Sequence, residues 1–398
     1  MTVTELTQAE AAFRTLLNAA RALMDGCPEL TVFSGPLPDA PFAPRAAHAV
    51  PMLGTLQAML PTPQAEDANA NAAFVRAVHA VAPFAEWRRS YSEAEVGADF
   101  LARYGWFELL GPEGHFQCDT HRAYVGIWGS DLYYPWHAHE AEEIYYCAAG
   151  SAIFEAEGDA PAVLTPGQTK AHTGHQPHAM TTQGSPILTF VLWRGPGMAG
   201  KPAMTDPADA LLTEVVALQD RTPALADFGR LSKALPKRSV TPHPIPAAAL
   251  MAAEPALTSP GHAGLCAAIQ AYGPHAHWRE TYRGTAIPPG FLDRFGCFAL
   301  AGPNAPFAAQ DIAAFFVYMP PGLHYPWHEH PAEELYYILA GSARFRVGTE
   351  PERTLHAGDH VFHASGAPHM TVTDDAPMLA LVLWRGDLAT RPVLSSAP

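Results

Sequence analysis

The chain is one unit written twice, and that repetition constrains its fold more than any other feature. The segment YYPWHAHEAEEIYY (133–146) returns as HYPWHEHPAEELYY (324–337), an offset of 191 residues. The offset holds without a gap over a long stretch: Trp87 maps to Trp278, Tyr91 to Tyr282, Gly111-Pro112 to Gly302-Pro303, and Trp193-Arg194-Gly195 to Trp384-Arg385-Gly386. A repeat of this length is a whole domain rather than a solenoid module. Two homologous domains are therefore expected, 1–198 and 199–398, joined near the Gly- and Pro-rich stretch GPGMAGKPAMTDP (195–207).

Within each copy the hydrophobic period changes midway. Residues 5–25 and 66–82 carry apolar side chains three and four apart (Phe13, Leu16, Leu17, Ala20; Phe74, Val75, Val78), which predicts amphipathic helices, and 207–219 and 260–272 repeat this. From about 105 to 195, and again from about 296 to 387, short apolar runs such as AYVGIW, EIYYCAAG, AFFVYM and LALVLW are broken by Gly, Pro and Asp. Such runs predict a mainly β unit, a small antiparallel barrel or jelly roll behind a helical lead-in, in tandem.

Charge and cysteine usage narrow the function. Acidic residues outnumber basic ones, 39 to 24, for a formal charge of −15. Nucleic acid and anionic membranes need a basic face, so neither is an expected partner, and no apolar run approaches the ~20 residues that span a bilayer. The five cysteines are scattered without Cys-x-x-Cys spacing, which argues against a disulfide framework and a cysteine zinc site. The N-terminus lacks the basic-then-apolar layout of a signal peptide, and a cytoplasmic, reducing compartment is expected. Histidine is abundant, 20 residues against 4 lysines, and directs the search to metal ligands.

Each barrel region holds one histidine–carboxylate constellation: His137, His139, Glu143 and later His178; then His328, His330, Glu334 and later His369. Alternation along a strand puts His137 and His139 on one side, and after a tight turn Glu143 and Tyr145 share a face again. Three imidazoles and a carboxylate suit one divalent transition metal per barrel, zinc, iron or manganese, with positions left for substrate. A lone His-x-His would mean little. Its joint recurrence with Glu and Pro-His at one offset makes metal binding the expected reading.

The spacing resembles the two motifs of the cupin superfamily, Gly-x5-His-x-His-x3-Glu-x6-Gly and a later Gly-x5-Pro-x-Gly-x2-His. The first fits from Gly322 to Gly341, with Asp131 in place of the leading Gly in the first copy. The second ends at His178 and His369, and its inner Gly is Gly366 in one copy and His175 in the other. More narrowly, YPWHxHxAEExYY with the downstream LWRG resembles the cupin dimethylsulfoniopropionate (DMSP) lyases, which cleave DMSP to dimethyl sulfide and acrylate. That resemblance implies metal ligation by His139, Glu143 and His178, and by His330, Glu334 and His369. It also implies a tyrosine at the metal (Tyr145, Tyr336) and another in catalysis (Tyr134, Tyr325). The family usually carries one barrel per chain; here the doubled unit is expected to form an internal pseudo-dimer.

A β-elimination needs a base for the proton α to a carboxylate and a Lewis acid for the charge that develops, while the sulfonium leaves as a neutral sulfide. Spacing favours Tyr145 and Tyr336 as base, since Tyr134 and Tyr325 have the opposite parity unless Pro135 breaks the strand. Trp193 and Trp384 can offer a ring face to a sulfonium, and Tyr91 and Tyr282 can line the cavity. The substrate is expected to be a small zwitterionic or anionic acid. Arg194 and Arg385 either meet its carboxylate or end their strands in solvent. His172 and His363 match across the repeats and are expected at the surface rather than behind a ligand. An iron-dependent dioxygenase and a non-catalytic two-barrel binding protein are the competing readings, the latter disfavoured by retention of every ligand in both copies.

Overall fold

The computed structural model describes residues 3–59, 70–255 and 257–398. The chain divides into two compact units, Met1–Thr205 and Asp206–Pro398. The division falls later than the joint at 198 expected from the repeat. The short strand Ala203–Met204 explains it, because it pairs with His137 and Ala138 and so belongs to the first barrel.

In the first unit the helix Val3–Gly26 buries Phe13, Leu16, Leu17 and Ala20, the stripe set by their three- and four-residue spacing. The helix Ala70–Val81 buries Phe74, Val75 and Val78 in the same way, and the helical expectation for 66–69 lies outside the described residues. Both pack on a six-stranded sheet in the order Phe116–Gln117, Tyr104–Gly111, Arg122–Trp128, Ile187–Arg194, Glu142–Gly150, Thr169–His172. A second sheet runs Ala203–Met204, Tyr133–Ala138, His178–Thr181, Ala152–Ala156, Ala162–Leu164. The result is a small antiparallel barrel of the cupin type with helices on one outer face. Alternation divides the strand Glu142–Gly150 cleanly: Ile144, Tyr146 and Ala148 join the helix-facing core, whereas Tyr145 and Cys147 join the barrel interior.

The second unit repeats the plan. The helix Pro207–Arg221 starts at Asp206, whose side chain accepts the Ala208 N–H at 2.9 Å with Pro207 at the first position. It and the helix Ala263–Tyr272 precede the barrel. The strand Glu333–Val347 is continuous here and pairs along its length with Met378–Arg385, His360–His363, His369–Val372 and Arg353–His356. Its counterpart in the first unit is interrupted at Ser151.

The turn after the glutamate strand depends on glycine in both copies. Gly150 and Gly341 have φ of 76° and 72°. A Cβ there would lie 1.7 Å from the carbonyl oxygen of Pro186 or Pro377. Only hydrogen fits. At the motif's other end the first copy does without glycine, since Asp131 at φ 52° adopts the left-handed turn that Gly322 makes at 67°. The Asp131 carboxylate accepts the Gly184 N–H at 2.8 Å, a contact from across the fold that holds the residue in this turn.

Candidate metal centre

Two groups of ligand-competent side chains form, one per unit: His139, Glu143 and His178, and His330, Glu334 and His369, each with its donor atoms within 4.8 Å of one another. The three side chains of each group arrive from three places. His139 follows the end of the strand Tyr133–Ala138, Glu143 opens the next strand, and His178 starts the strand paired with the first. All six residues are buried.

The geometry assigns the tautomers. His139 Nδ1 donates to the Ala141 carbonyl at 2.8 Å and His178 Nδ1 to the Gln176 carbonyl at 2.8 Å. His330 and His369 do the same to Ala332 at 3.0 Å and Ala367 at 2.8 Å. In the neutral ring each Nε2 therefore carries a lone pair, and it points at a carboxylate: Nε2 of His139 and of His178 lies 3.3 Å from Glu143 Oε2. In the second unit the distances to Glu334 Oε2 are 3.5 and 3.3 Å. Nε2 of His178, His330 and His369 is buried with no hydrogen-bond partner. A set of acceptors facing each other in a dry site is unfavourable unless a cation lies among them, so these residues fit a divalent metal. Burial alone would raise the Glu143 and Glu334 carboxyls; positive charge on the facing imidazoles, when they are protonated, outweighs it and holds both well below the usual range, so the carboxylate calls for a cation beside it, either a proton on the ring or a metal ion.

The glutamate is also fixed from behind. Trp193 Nε1 donates to Glu143 Oε1 and Trp384 Nε1 to Glu334 Oε1, each at 2.6 Å. The same indoles lie over the imidazoles of His139 and His330, with centroids 4.3 and 4.2 Å apart. These tryptophans, expected to meet substrate, thus fix a pair of candidate metal-binding side chains while still lining the cavity.

His137 and His328 stand outside the groups. The same-side expectation assumed unbroken strand, whereas the strand ends at Ala138 and its pairing shifts register between Tyr134 and His137. The His137 ring instead stacks under Tyr134 at 4.0 Å, with Nδ1 on the Pro135 carbonyl, and His328 repeats this with Tyr325 at 3.9 Å. Burial, then the neighbouring His178 or His369, pushes both well below the ordinary histidine range. The same register shift turns Tyr134 and Tyr325 inward, where they bond Tyr91 and Tyr282 hydroxyl to hydroxyl at 2.5 and 2.8 Å.

One expectation is overturned and one alternative is decided. His172 and His363 are buried, at 2% and 0% exposure, because they face inward and stack on His178 and His369 at 4.1 and 4.0 Å. His363 Nδ1 also lies 2.6 Å from Glu334. Their shared parity with the ligand on the next strand was the available signal. Arg194 and Arg385 end their strands with side chains partly open to solvent and away from the cavity, where they bond Glu142 and Glu333 at 2.6 Å and the Phe33 and Phe228 carbonyls, clasping a helix to the barrel.

Each site opens on a cavity, about 840 Å³ in the first unit and about 800 Å³ in the second. Glu143, Tyr145 and Trp193 line the first; Glu334, Tyr336, Tyr325 and Trp384 line the second. Burial first, then the nearby glutamate, raises the Tyr145 and Tyr336 hydroxyls well above the usual tyrosine range.

The DMSP lyase family model matches residues 39–189 and again 219–380. Dimethylsulfoniopropionate lyase DddQ of Ruegeria pomeroyi is 53% identical over 192 residues, 48% of this chain and 96% of that protein. Putative dimethylsulfoniopropionate lyase DddL of Cereibacter sphaeroides is 26% identical over 126 residues, 31% of this chain and 51% of that one. The crystal structure of DddQ from Ruegeria pomeroyi superposes with a TM-score of 0.47 at 52% identity, covering 48% of this chain and 98% of the other. The family match extends over well more than half of the sequence and occurs once in each unit, and the chain belongs to the DMSP lyase family.

Proposed function

We propose that the chain is a metal-dependent carbon–sulfur lyase that converts DMSP to dimethyl sulfide and acrylate by β-elimination. The observation that carries this reading is the acceptor-only cluster at the wall of a cavity, present twice in a chain of this family. His139, Glu143 and His178 hold the metal in the first unit, and His330, Glu334 and His369 in the second. Zinc, iron and manganese all suit imidazole and carboxylate. The bound dication supplies Lewis acidity for the charge that develops next to the substrate carboxylate, and its field favours tyrosinate nearby.

The rest falls to the protein. Tyr145 and Tyr336 line the cavity beside the glutamate in both units, so each is assigned the removal of the proton α to the carboxylate. A second assignment has its own support: Tyr134 shares a 2.5 Å hydroxyl contact with Tyr91, and whichever oxygen loses its proton keeps the other as donor. The sulfide leaves neutral, so no acid is required. The aromatic walls exclude water and present ring faces to the sulfonium. Free thiols at all five cysteines support a reducing, cytoplasmic setting.

The test is dimethyl sulfide release from DMSP by the metal-loaded chain. His139→Ala with His330→Ala abolishes it. Tyr145→Phe with Tyr336→Phe lowers kcat by at least ~100-fold, the scale of a lost general base, with little change in KM. Larger loss in Tyr134→Phe with Tyr325→Phe moves the base to that pair. Intact, metal-loaded protein that releases no sulfide refutes the substrate assignment.

A further inference from the structure

The two cavities have diverged in charge around one shared arginine. In the first, Arg88 is neutralised by carboxylates: Glu86 at 2.6 Å, Glu113 at 2.7 Å and the buried Glu108 at 4.0 Å, which also lies 3.8 Å from Arg122. The offset of 191 carries these positions to the second unit, where Arg279 is kept but Glu86, Glu108 and Glu113 become His277, Ala299 and Asn304, and Arg122 becomes Ala313. Every acidic partner has gone.

Arg279 lines the second cavity together with Glu334, Tyr336 and Trp384. Its guanidinium sits over the Phe315 ring at 4.6 Å, and Phe315 in turn packs on Trp384, the tryptophan that holds Glu334, at 5.3 Å. Among the described residues no carboxylate pairs with it. The adjacent Glu280 lines the same cavity but binds Arg283. Among the described residues the further charged side chains on the wall, besides Glu334, are Arg238 and Arg391, which add positive potential, with the imidazoles of His243 and His277 beside them; burial, with Arg391 nearby, disfavours the arginine's charge. Meanwhile the surfaces that suit a cation have thinned: Tyr104, Trp106, Tyr124 and Trp128 of the first unit are replaced by Phe295, Cys297, Phe315 and Met319. An arginine kept in a cavity while all its counter-charges are removed lacks a partner that the ligand must bring.

We propose that Arg279 anchors an anion in the second cavity, receiving a ligand carboxylate in a forked pair, so that this site takes small acids of net negative charge whereas the first takes a zwitterion. The inference departs from DMSP as the preferred ligand at the second site, and it rests on the lyase reading only in treating that cavity as a binding site.

The experiment is calorimetric titration of the full, metal-loaded chain with acrylate, a carboxylate without a cationic group, and separately with DMSP. Arg279→Gln weakens acrylate binding at one of two sites about tenfold or more, the scale of one lost charge-assisted hydrogen bond. Arg88→Gln leaves acrylate binding unchanged. Arg279→Lys retains part of the affinity, and Ala299→Glu, which restores the acid while keeping the arginine, weakens acrylate binding as Arg279→Gln does. Acrylate affinity indifferent to both Arg279→Gln and Ala299→Glu overturns the proposal. Dimethyl sulfide release is followed in parallel. Arg279-dependent acrylate binding without sulfide release refutes the lyase reading alone, and sulfide release with Arg279-independent binding refutes this inference alone.

Discussion

Replacing Trp384 with Phe tests whether the glutamate ligand is held from behind. The substitution removes one donor, the indole N–H bonded to Glu334 Oε1 at 2.6 Å, and leaves an aromatic ring to stack on His330, 4.2 Å away in the native chain. Glu334 is buried and ionised, and a hydrogen bond to such a group contributes roughly 1.5–3 kcal/mol. Loss of a group that orients a ligand typically weakens metal binding about 10–100-fold, or about 1.4–2.8 kcal/mol, so the two estimates agree. Trp193 makes the same bond in the other unit and is untouched. Competition for zinc against a chromophoric chelator should therefore turn biphasic, with one equivalent per chain as tight as in the native protein and the other about 10–100-fold weaker. Trp193→Phe should give the same curve, and the double variant a single weak phase. If both equivalents in Trp384→Phe stay within about threefold of native, the carboxylate needs no such donor and the reasoning is wrong.

Two further outcomes follow from the backbone and from buried charge. Gly341→Ala and Gly322→Ala both place a Cβ at positive φ, 72° and 67°, but only at 341 does it meet an atom, the Pro377 oxygen at 1.7 Å. Gly322→Ala should cost about 1 kcal/mol and Gly341→Ala at least ~3 kcal/mol in urea unfolding followed by tryptophan fluorescence; equal losses would refute the clash. His115 is buried against Phe13 with Nε2 accepting the Glu86 N–H at 3.2 Å, and burial, then Arg45 and Arg88, holds it at about 3. Its folded value lies below the unfolded ~6.5, so the unfolded chain takes up the proton first as pH falls. Stability contributed by His115 should thus be intact above pH ~6.5 and decline towards pH 3, by about 2.5 kcal/mol at pH 4.5, a slope that His115→Gln removes from the pH dependence of the unfolding midpoint.

Much of this architecture is written in the sequence because the repeat supplies an internal alignment. The ligand positions His139, Glu143 and His178 stand out by their pairing with His330, Glu334 and His369, and the helical stripe of Phe13, Leu16 and Leu17 follows from periodicity. His137 stands apart from the group because parity holds only within a regular strand, and Pro135 lies where the pairing slips. The same slip explains why Tyr134 points inward against its parity. The burial of His172 and His363 had a signal in the parity they share with His178 and His369, but parity alone does not choose the face. Histidine is compatible with either face of a strand, and only the stacking on His178 and His369 decides it. The isolation of Arg279 was legible position by position in the loss of three acids, but its meaning required the cavity they had lined.

Six of the eight histidines around these centres share a habit: each hands its Nδ1 proton to a carbonyl two residues away along its own chain. Their aim is thus set by short stretches of peptide rather than by distant parts of the fold. Copying the gene segment copies the aim, and later changes in the surrounding walls leave it undisturbed. A duplicated protein built this way can explore new ligands with its second chamber while inheriting a finished set of imidazoles.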